Sequence, residues 1–319
     1  MESKALTERI NKTKDSGEYS VKVGIGREYM SEVFKEADIA YDVIKTDLKA
    51  SRNGRQRYEK WVIGPESLLV KEIPIELSSA TYDDLAVMRS AVEKLFACME
   101  TKKIKIELNE STSTQVHLST PGEFSVQEVK KIAKSVLYWE RCVDCLVSSK
   151  RVNKGYVESN HASVYFNQRK TDASIEAAIA AVEKCETVEG VALLMCTQPD
   201  GSEIAHRGFR VNFRNLLEGE LGTIEFRQAD GSGDAATAIA WPAFWIGFCV
   251  SAIKTGIDGR KMTMEGLKGF VVDGLETYGK ADPGWVETIF EGKMNRNPTT
   301  VDFTDEKRGL AVVQGHAWG

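Results

Sequence analysis

The segment that most constrains the fold is a short alternation of apolar and charged residues at positions 222–228, which reads Gly-Thr-Ile-Glu-Phe-Arg-Gln. In an extended strand, successive side chains point to opposite faces. Ile224 and Phe226 therefore share one face, which is suited to a hydrophobic core. Glu225 and Arg227 share the other face, where a carboxylate beside a guanidinium is the pairing needed to hold a metal ion or an anion. We predict a sheet with one buried face and one chemically active face.

The order of the predicted elements indicates the fold class. Strands are predicted in pairs between long helices, not in strict alternation with single helices, and this favours an α+β protein with a largely antiparallel sheet. The predicted strands cover residues 19–28, 58–63, 67–77, 103–109, 113–119, 190–197, 207–215 and 222–228. The predicted helices cover residues 31–48, 82–101, 125–148, 175–185 and 234–255, followed by two helices within 262–293.

Charge and hydropathy exclude several classes of partner. The net charge of −5 argues against a nucleic-acid-binding protein, because such a surface needs a basic stripe. No apolar run reaches the ~18–20 residues of a membrane span, and the most apolar stretch, residues 235–253, contains Pro242 and is better explained as a buried helix. The first residues lack the apolar core of a secretory signal. We therefore expect a cytoplasmic protein with no nucleic-acid or membrane partner.

The six cysteines support the same expectation. Most of them lie inside apolar periodic segments, whereas secreted disulfide scaffolds are smaller and denser in cysteine. Cys142 and Cys145 form a Cys-x-x-Cys sequence, but it lies within a helical pattern and no second pair completes a zinc site. We predict that these cysteines are reduced and pack in the core.

Polar side chains alternate in phase on four predicted strands. Three carboxylates and one imidazole on a common sheet face would bind a divalent ion, and oxygen-rich ligation favours Mg²⁺ or Mn²⁺. The four candidate metal ligands are Glu28, Glu76, His117 and Glu225. The alternative is that each of these side chains is simply an outward-facing residue in contact with solvent.

Seven segments, taken in order along the chain, resemble the motifs of the amidoligase family. These proteins are relatives of glutamine synthetase and of the carboxylate–amine ligases and are known especially from fungi. The segments are Gly24-Ile-Gly-Arg-Glu28, Trp61-Val-Ile-Gly-Pro-Glu-Ser-Leu68, Pro74-Ile-Glu-Leu-Ser78, Asn109-Glu-Ser-Thr-Ser-Thr-Gln-Val-His117, Ser149-Lys-Arg-Val-Asn153, Arg210-Val-Asn-Phe213 and Thr223-Ile-Glu-Phe-Arg227. The core of the resemblance covers about residues 20–255 of a single amidoligase-like domain spanning 1–319, with a helical C-terminal extension at 256–319.

The resemblance implies a glutamine synthetase-like catalytic fold, with a curved, largely antiparallel sheet and helices packed on one face. It implies ATP, Mg²⁺, and a small-molecule or amino-acid carboxylate that is activated as an acyl phosphate before an amine attacks it. Related ligases often form homo-oligomers. By this resemblance Glu28 and Glu76 would hold one metal ion, while His117 and Glu225 would hold another. Arg227 would contact phosphate, and the residues that would bind substrate or nucleotide are Arg151, Asn153 and Asn212.

Two departures from the family pattern leave alternatives open. Gly26 stands where the family has a glutamate, and Gln115 stands where it has a histidine. The site could use one ion, or take Gln115 as a neutral oxygen ligand. It could also have lost ATP and two-metal chemistry, which would leave either an acid–base or hydrolytic enzyme or a non-catalytic binding protein.

The loop from Asp230 to Asp234 also has two interpretations. Because it precedes a helix, its backbone could bind an anion at the helix N-terminus. Alternatively, it is a strand-to-helix turn in which Asp234 caps the helix.

Overall fold

The structure of the protein is a computed structural model. It describes residues 30–43, 59–65, 75–109, 111–152, 156–167, 174–197 and 206–298. The chain divides into two compact units, residues 1–112 and 113–319, and each is described by itself.

The first unit contains a three-stranded sheet and a long helix among its described residues. Its elements are α1 at residues 30–36, β1 (Tyr41–Val43), β2 (Trp61–Pro65), β3 (Ile75–Ser78) and α2 (Leu85–Thr101). Strand β2 is central, parallel to β1 and antiparallel to β3. The ring of Phe34 from α1 lies 5.5 Å from that of Trp61, and both side chains are buried. These aromatic residues anchor α1 to the sheet.

Helix α2 has the apolar stripe that its sequence predicts. Asp84 caps its N-terminus by accepting a hydrogen bond from the Ala86 N–H. The buried positions recur every three or four residues, as expected for one face of an α-helix. They are Leu85, Met88, Val92, Leu95 and Met99.

The second unit is mainly helical and contains a second three-stranded sheet. Its elements are β4 (Val116–Leu118), α3 (Val126–Asp144), α4 (Asn160–Asn167), α5 (Ile175–Glu183), α6 (Val188–Cys196), β5 (Val211–Asn212), β6 (Ile224–Phe226), α7 (Ala235–Lys254), α8 (Met264–Tyr278) and α9 (Glu287–Phe290). The sheet is antiparallel, and β6 lies between β4 and β5. Helix α3 contacts α5, α6 and α7.

The apolar side of the second sheet packs on helix α7. Phe226 of β6 stacks on Trp245 with ring centroids 4.1 Å apart, and both residues are buried. Such a pair contributes stability beyond the apolar area that it buries. The core face predicted for Ile224 and Phe226 is therefore confirmed, and α7 forms the back of the sheet.

Helix α7 is the one described helix that is long and apolar enough to cross a membrane. However, 61% of its apolar window is buried inside the protein. Its side chains contact β6 and α8, so it serves as the central core helix. Pro242 lies inside this helix.

The α+β class is confirmed. The strands that the structure describes form two three-stranded sheets, one in each unit, and one of the strand pairs is parallel. The helix predicted at 31–48 is also shorter, because it ends at residue 36 and strand β1 follows. The single-domain boundary and the glutamine synthetase-like fold stay predictions.

The strand predicted at 190–197 is wrong, because this segment belongs to helix α6. Thr187 caps that helix by accepting a hydrogen bond of 2.9 Å from the Gly190 N–H. A short apolar run is compatible with either a buried strand or a buried helix. Here the cap at Thr187 favours the helix. Helix α3 begins with a capping box formed by Ser125 and Glu128.

Candidate active site

The second sheet aligns three predicted site residues in one row. His117 of β4 is the register partner of Glu225 of β6. Asn212 of β5 is the register partner of Glu225 on the opposite side. Directly opposed side chains of an antiparallel pair lie on the same face of the sheet. The topology therefore brings together residues that lie more than 100 positions apart in the chain.

Glu225 is the centre of this row. Its carboxylate is buried, with a side-chain exposure of 7%. One oxygen, Oε2, accepts hydrogen bonds from Asn212 Nδ2 at 2.6 Å and Asn215 Nδ2 at 3.5 Å. The other oxygen, Oε1, accepts from Arg227 Nη1 at 3.3 Å and lies 3.7 Å from His117 Nε2. A buried carboxylate is tolerated when it is paired and hydrogen-bonded in this way.

His117 forms the solvent-facing edge of the row. Its side chain is 36% exposed, and Nδ1 lies 3.1 Å from Thr223 Oγ1. The imidazole is therefore held between a hydroxyl and a carboxylate. A histidine in this position can exchange a proton with a ligand while the carboxylate orients the ring.

The chemically active face stays a prediction, although the structure places two of its residues in contact. Glu225 and Arg227 do lie together, yet Glu225 is buried and the Arg227 side chain is only 15% exposed. The alternative of outward-facing solvated residues is wrong for Glu225. Asn212, its partner in β5, is also buried, at 1% exposed.

Arg151 lies next to this site but points its guanidinium at backbone. Its Nη2 donates to the carbonyl of Arg227 at 2.5 Å, and its Nε donates to the carbonyl of Gln228 at 3.3 Å. The residue is 3% exposed. Burial lowers the pKa of Arg151 from its usual value. Asn153, predicted beside it, lies outside the described residues.

The other two predicted metal ligands are Glu28 and Glu76. Glu28 lies outside the described residues, as does Gly26. Glu76 lies in strand β3 of the first unit, where Ser78 Oγ donates to its Oε1 at 3.5 Å. The four-ligand metal site stays a prediction.

The side chains of this row can be compared with the ligands that a divalent metal ion requires. Glu225 and His117 have the donor chemistry of a divalent-ion site, although Arg227 now occupies one carboxylate oxygen. Among the residues that the structure describes, no cluster of three or more His, Cys, Asp or Glu side chains could hold a metal. The described row therefore fits a metal only as part of a larger set of ligands.

A buried ionic cluster that the sequence analysis missed lies beside the strands. Arg210 Nη1 is 2.7 Å from Glu140 Oε1 and 3.2 Å from Asp144 Oδ2. Gln228 Nε2 donates to Asp144 Oδ1 at 2.5 Å. Arg210 precedes β5 and Gln228 follows β6, so the cluster ties both strands to helix α3. A small cavity of about 10 Å³ beside Glu140, Arg210 and Trp245 is no larger than one water, which excludes a ligand there.

Two titratable groups near this cluster have shifted pKa values. Burial raises the pKa of Asp144 to about 6, although the positive charge of Arg210 opposes the shift. Burial also lowers the pKa of His161 in α4. Both shifts favour the neutral form, as expected where a side chain is removed from water. One guanidinium thus lies between two carboxylates.

A sequence signal for this cluster exists in helix α3. Glu140 and Asp144 are four residues apart and therefore lie on one face of the helix. They fall among apolar positions such as Val136 and Val143, where a charged residue is unusual. Charged residues inside an apolar stripe indicate a buried partner, which here is Arg210.

The loop that precedes α7 is a helix cap. Asp234 Oδ1 accepts from the Thr237 N–H at 2.8 Å. Asp230 is held by Ser148, whose N–H donates to Oδ2 at 2.8 Å and whose hydroxyl donates to Oδ1 at 2.5 Å. An aspartate that caps the helix opposes a bound anion there, so the second of the two interpretations is confirmed.

The fold and the site define an α+β protein in which a carboxylate, an imidazole and a guanidinium converge on one sheet. The chain belongs to an amidoligase family, since the family model described as "Putative amidoligase enzyme" matches residues 4–249. The family indicates a ligase-type enzyme. Comparisons with curated proteins and with solved structures gave no match.

Proposed function

We propose that this chain is an ATP-dependent ligase that joins a small-molecule or amino-acid carboxylate to an amine through an acyl phosphate. The observation that carries the proposal is the cluster of Glu225, Arg227 and His117 on the second sheet, in a chain that belongs to the amidoligase family. A glutamine synthetase-like arrangement of the catalytic strands is part of the proposal.

Arg227 is the proposed phosphate-binding group. Among the described contacts, its guanidinium donates to Glu225 through Nη1, at 3.3 Å. A guanidinium presents five N–H donors in a planar fork, so one side can hold Glu225 while another meets a phosphate or carboxylate. Charge-assisted hydrogen bonds of this kind are about twice as strong as neutral ones. Glu225 then fixes the direction in which Arg227 points.

His117 and Asn212 complete the proposed site. His117 is the more exposed of the two, so it is the group that can move a proton at the reacting amine or carboxyl. Asn212 is buried and holds the Glu225 carboxylate at 2.6 Å. It therefore acts on the ligand through Glu225.

Mg²⁺ is the proposed metal, and Glu225 and His117 are the described residues that would help to hold it. When bound, the ion would neutralise the charge that develops on phosphate oxygens. Glu28 and Glu76 are the proposed ligands of a second ion. The proposed setting is the cytoplasm, with small-molecule partners and assembly as a homo-oligomer.

The direct test measures release of ADP and phosphate from ATP and Mg²⁺ in the presence of a panel of amino acids, other small carboxylates and amines. Release that requires both a carboxylate and an amine supports the proposal. Removing a preorganised charged donor typically lowers kcat by ~10²–10³-fold, so we expect a loss of that size in Arg227→Gln. Glu225→Gln removes the carboxylate that orients this donor and should also lower kcat.

A matched control variant distinguishes an effect at the site from the effect of losing a charge anywhere on the protein. Glu287→Gln removes an exposed carboxylate that pairs with Lys268 at 2.7 Å, and it should leave the rate unchanged. The proposal is overturned if ATP does not bind to the wild-type protein, or if Arg227→Gln and Glu287→Gln behave alike.

A further inference from the structure

The backbone of Arg227 is held on both sides by other arginine residues. Its N–H donates to the carbonyl of Arg210 at 2.9 Å. Its carbonyl accepts from the Arg151 side chain at 2.5 Å. The direction of the Arg227 side chain depends on this backbone.

Arg151 reaches two consecutive carbonyls with one side chain. Besides the carbonyl of Arg227, it donates through Nε to that of Gln228 at 3.3 Å. Its guanidinium carbon lies 5.3 Å from the ring centroid of Tyr156, within the range of a cation–π contact. The rigid fork of a guanidinium can make such a paired contact, whereas an ammonium group acts as a point donor.

A second connection holds the same segment. Asp230 accepts two hydrogen bonds from Ser148, at 2.8 Å and 2.5 Å. Residues 227–230 are therefore tied at both ends to residues 148–151. This pairing makes the 3₁₀ helix at Ser149–Arg151 a support for the end of the strand that carries Glu225.

We propose that Arg151 is a positioning residue, which fixes the backbone of Arg227 and thereby aims the Arg227 guanidinium at its ligand. The inference rests on the proposed function in one respect, namely that this ligand is the phosphate of ATP. The resemblance to the family instead makes Arg151 a nucleotide or substrate contact. In the structure its donors are turned to main-chain carbonyls, and the side chain is buried.

A double-mutant cycle separates the two roles. The dissociation constant of ATP with Mg²⁺ is measured by calorimetry for the wild type, Arg151→Lys, Arg227→Gln and the double variant. Loss of one hydrogen bond to the backbone predicts about a tenfold weaker affinity in Arg151→Lys. If Arg151 acts through Arg227, the double variant binds no more weakly than Arg227→Gln, within about twofold.

The proposal is overturned if the losses of ATP affinity in the two single variants multiply in the double variant. It is also overturned if Arg151→Lys binds ATP with wild-type affinity. Arg260→Lys is the control, because Arg260 makes an ion pair of 2.7 Å with Asp273 outside the site; its affinity should match the wild type. If Arg151→Lys does not fold, Tyr156→Leu replaces it, since this change removes the ring beneath the guanidinium. The same non-additivity with Arg227→Gln is then expected.

Amide hydrogen exchange tests, without ATP, whether Arg151 fixes the backbone of residues 227–230. We call this contact the clamp. In Arg151→Lys we expect exchange at residues 227–230 to be at least ~10-fold faster than in the wild type, while Arg260→Lys leaves it unchanged. Unchanged exchange in Arg151→Lys overturns the clamp. If the wild type does not bind ATP, the proposed function fails, and the exchange result still decides whether Arg151 fixes this backbone.

Discussion

Asn212 and Glu225 face each other across strands β5 and β6, and the Asn212 side-chain nitrogen donates to the Glu225 carboxylate at 2.6 Å. His117 is the partner of Glu225 on the other side, in β4. A central strand therefore presents its carboxylate to one neutral donor and one titratable ring. This arrangement lets a charged group remain in a buried position and still take part in chemistry.

The contact between Asn212 and Glu225 should contribute measurably to stability. Asn212→Ala leaves a buried carboxylate with one donor fewer, and an unsatisfied buried polar group costs about 1–3 kcal/mol. We expect the free energy of unfolding to fall by this amount in urea denaturation at pH 7. Asn215→Ala is the matched control, because its contact with the same oxygen is longer, at 3.5 Å. An equal loss in both variants would contradict the assignment.

Asp144 should make the stability of the protein depend on pH. Burial raises its pKa from 3.8 to about 6, so between these values the folded state binds more protons than the unfolded state. Stability must then decrease as the pH rises through this window. The contribution is fully present below the unfolded pKa and is lost above the folded one, with a magnitude on the order of 3 kcal/mol.

The measurement compares urea unfolding of the wild type and Asp144→Asn from pH 4 to 7. Other acidic groups contribute slopes of the opposite sign, so the difference between the two proteins isolates Asp144. Facing groups that act on this carboxyl are Arg210, Glu140, Gln228 and Arg141. Asp273→Asn, which alters a half-exposed ion pair, should leave the slope unchanged. A difference that grows in favour of the wild type as the pH rises would show that the sign is wrong.

The row of site residues could be predicted in part from sequence. The alternation around Glu225 and Arg227 fixes which side chains share a face, because the period of a strand is two. The register that places His117 and Asn212 beside Glu225 depends on strand pairing between distant segments, which a single sequence does not specify. For the same reason the division into two small sheets could not be predicted.

Burial was the least predictable property of the site. Glu225 was expected on an open face, yet three side chains donate to it and shield it. The acidic pair in the apolar stripe of α3 indicates a buried partner, but the sequence does not specify that this partner is Arg210. Only the fold brings a strand-end guanidinium against one face of α3.

The cysteines should differ strongly in their reactivity. Burial raises the pKa of Cys142 and Cys196 to about 12 and raises that of Cys249 further still. Since the thiolate is the nucleophile, these three should react at least ~100-fold more slowly than Cys98 with a disulfide reagent at pH 8. Mass spectrometry of the labelled native protein gives the rates, and unfolding in urea should make all six react. Fast labelling of Cys196 in the native protein would contradict the core-packing role.

The crossing of helices α7 and α8 depends on two glycines. A Cβ added at Gly274 would lie 1.8 Å from the carbonyl oxygen of Gly247, and one added at Gly247 would lie 2.4 Å from that of Val271. Both neighbours are backbone atoms and cannot rotate away. Gly274→Ala must therefore push the helices apart, and overpacking of this kind costs typically 1–3 kcal/mol or more. Because α7 supports β6 through Trp245 and Phe226, the loss should extend to the site.

Gly269→Ala in the same helix is the matched control. A Cβ there meets nothing within 4 Å, and alanine is favoured over glycine inside a helix by about 0.5–1 kcal/mol. The same substitution five residues apart should thus have opposite effects, lowering the melting temperature at Gly274 and raising it at Gly269. Thermal unfolding followed by circular dichroism measures both. If Gly274→Ala is as stable as the wild type, helices α7 and α8 do not cross closely at these glycines.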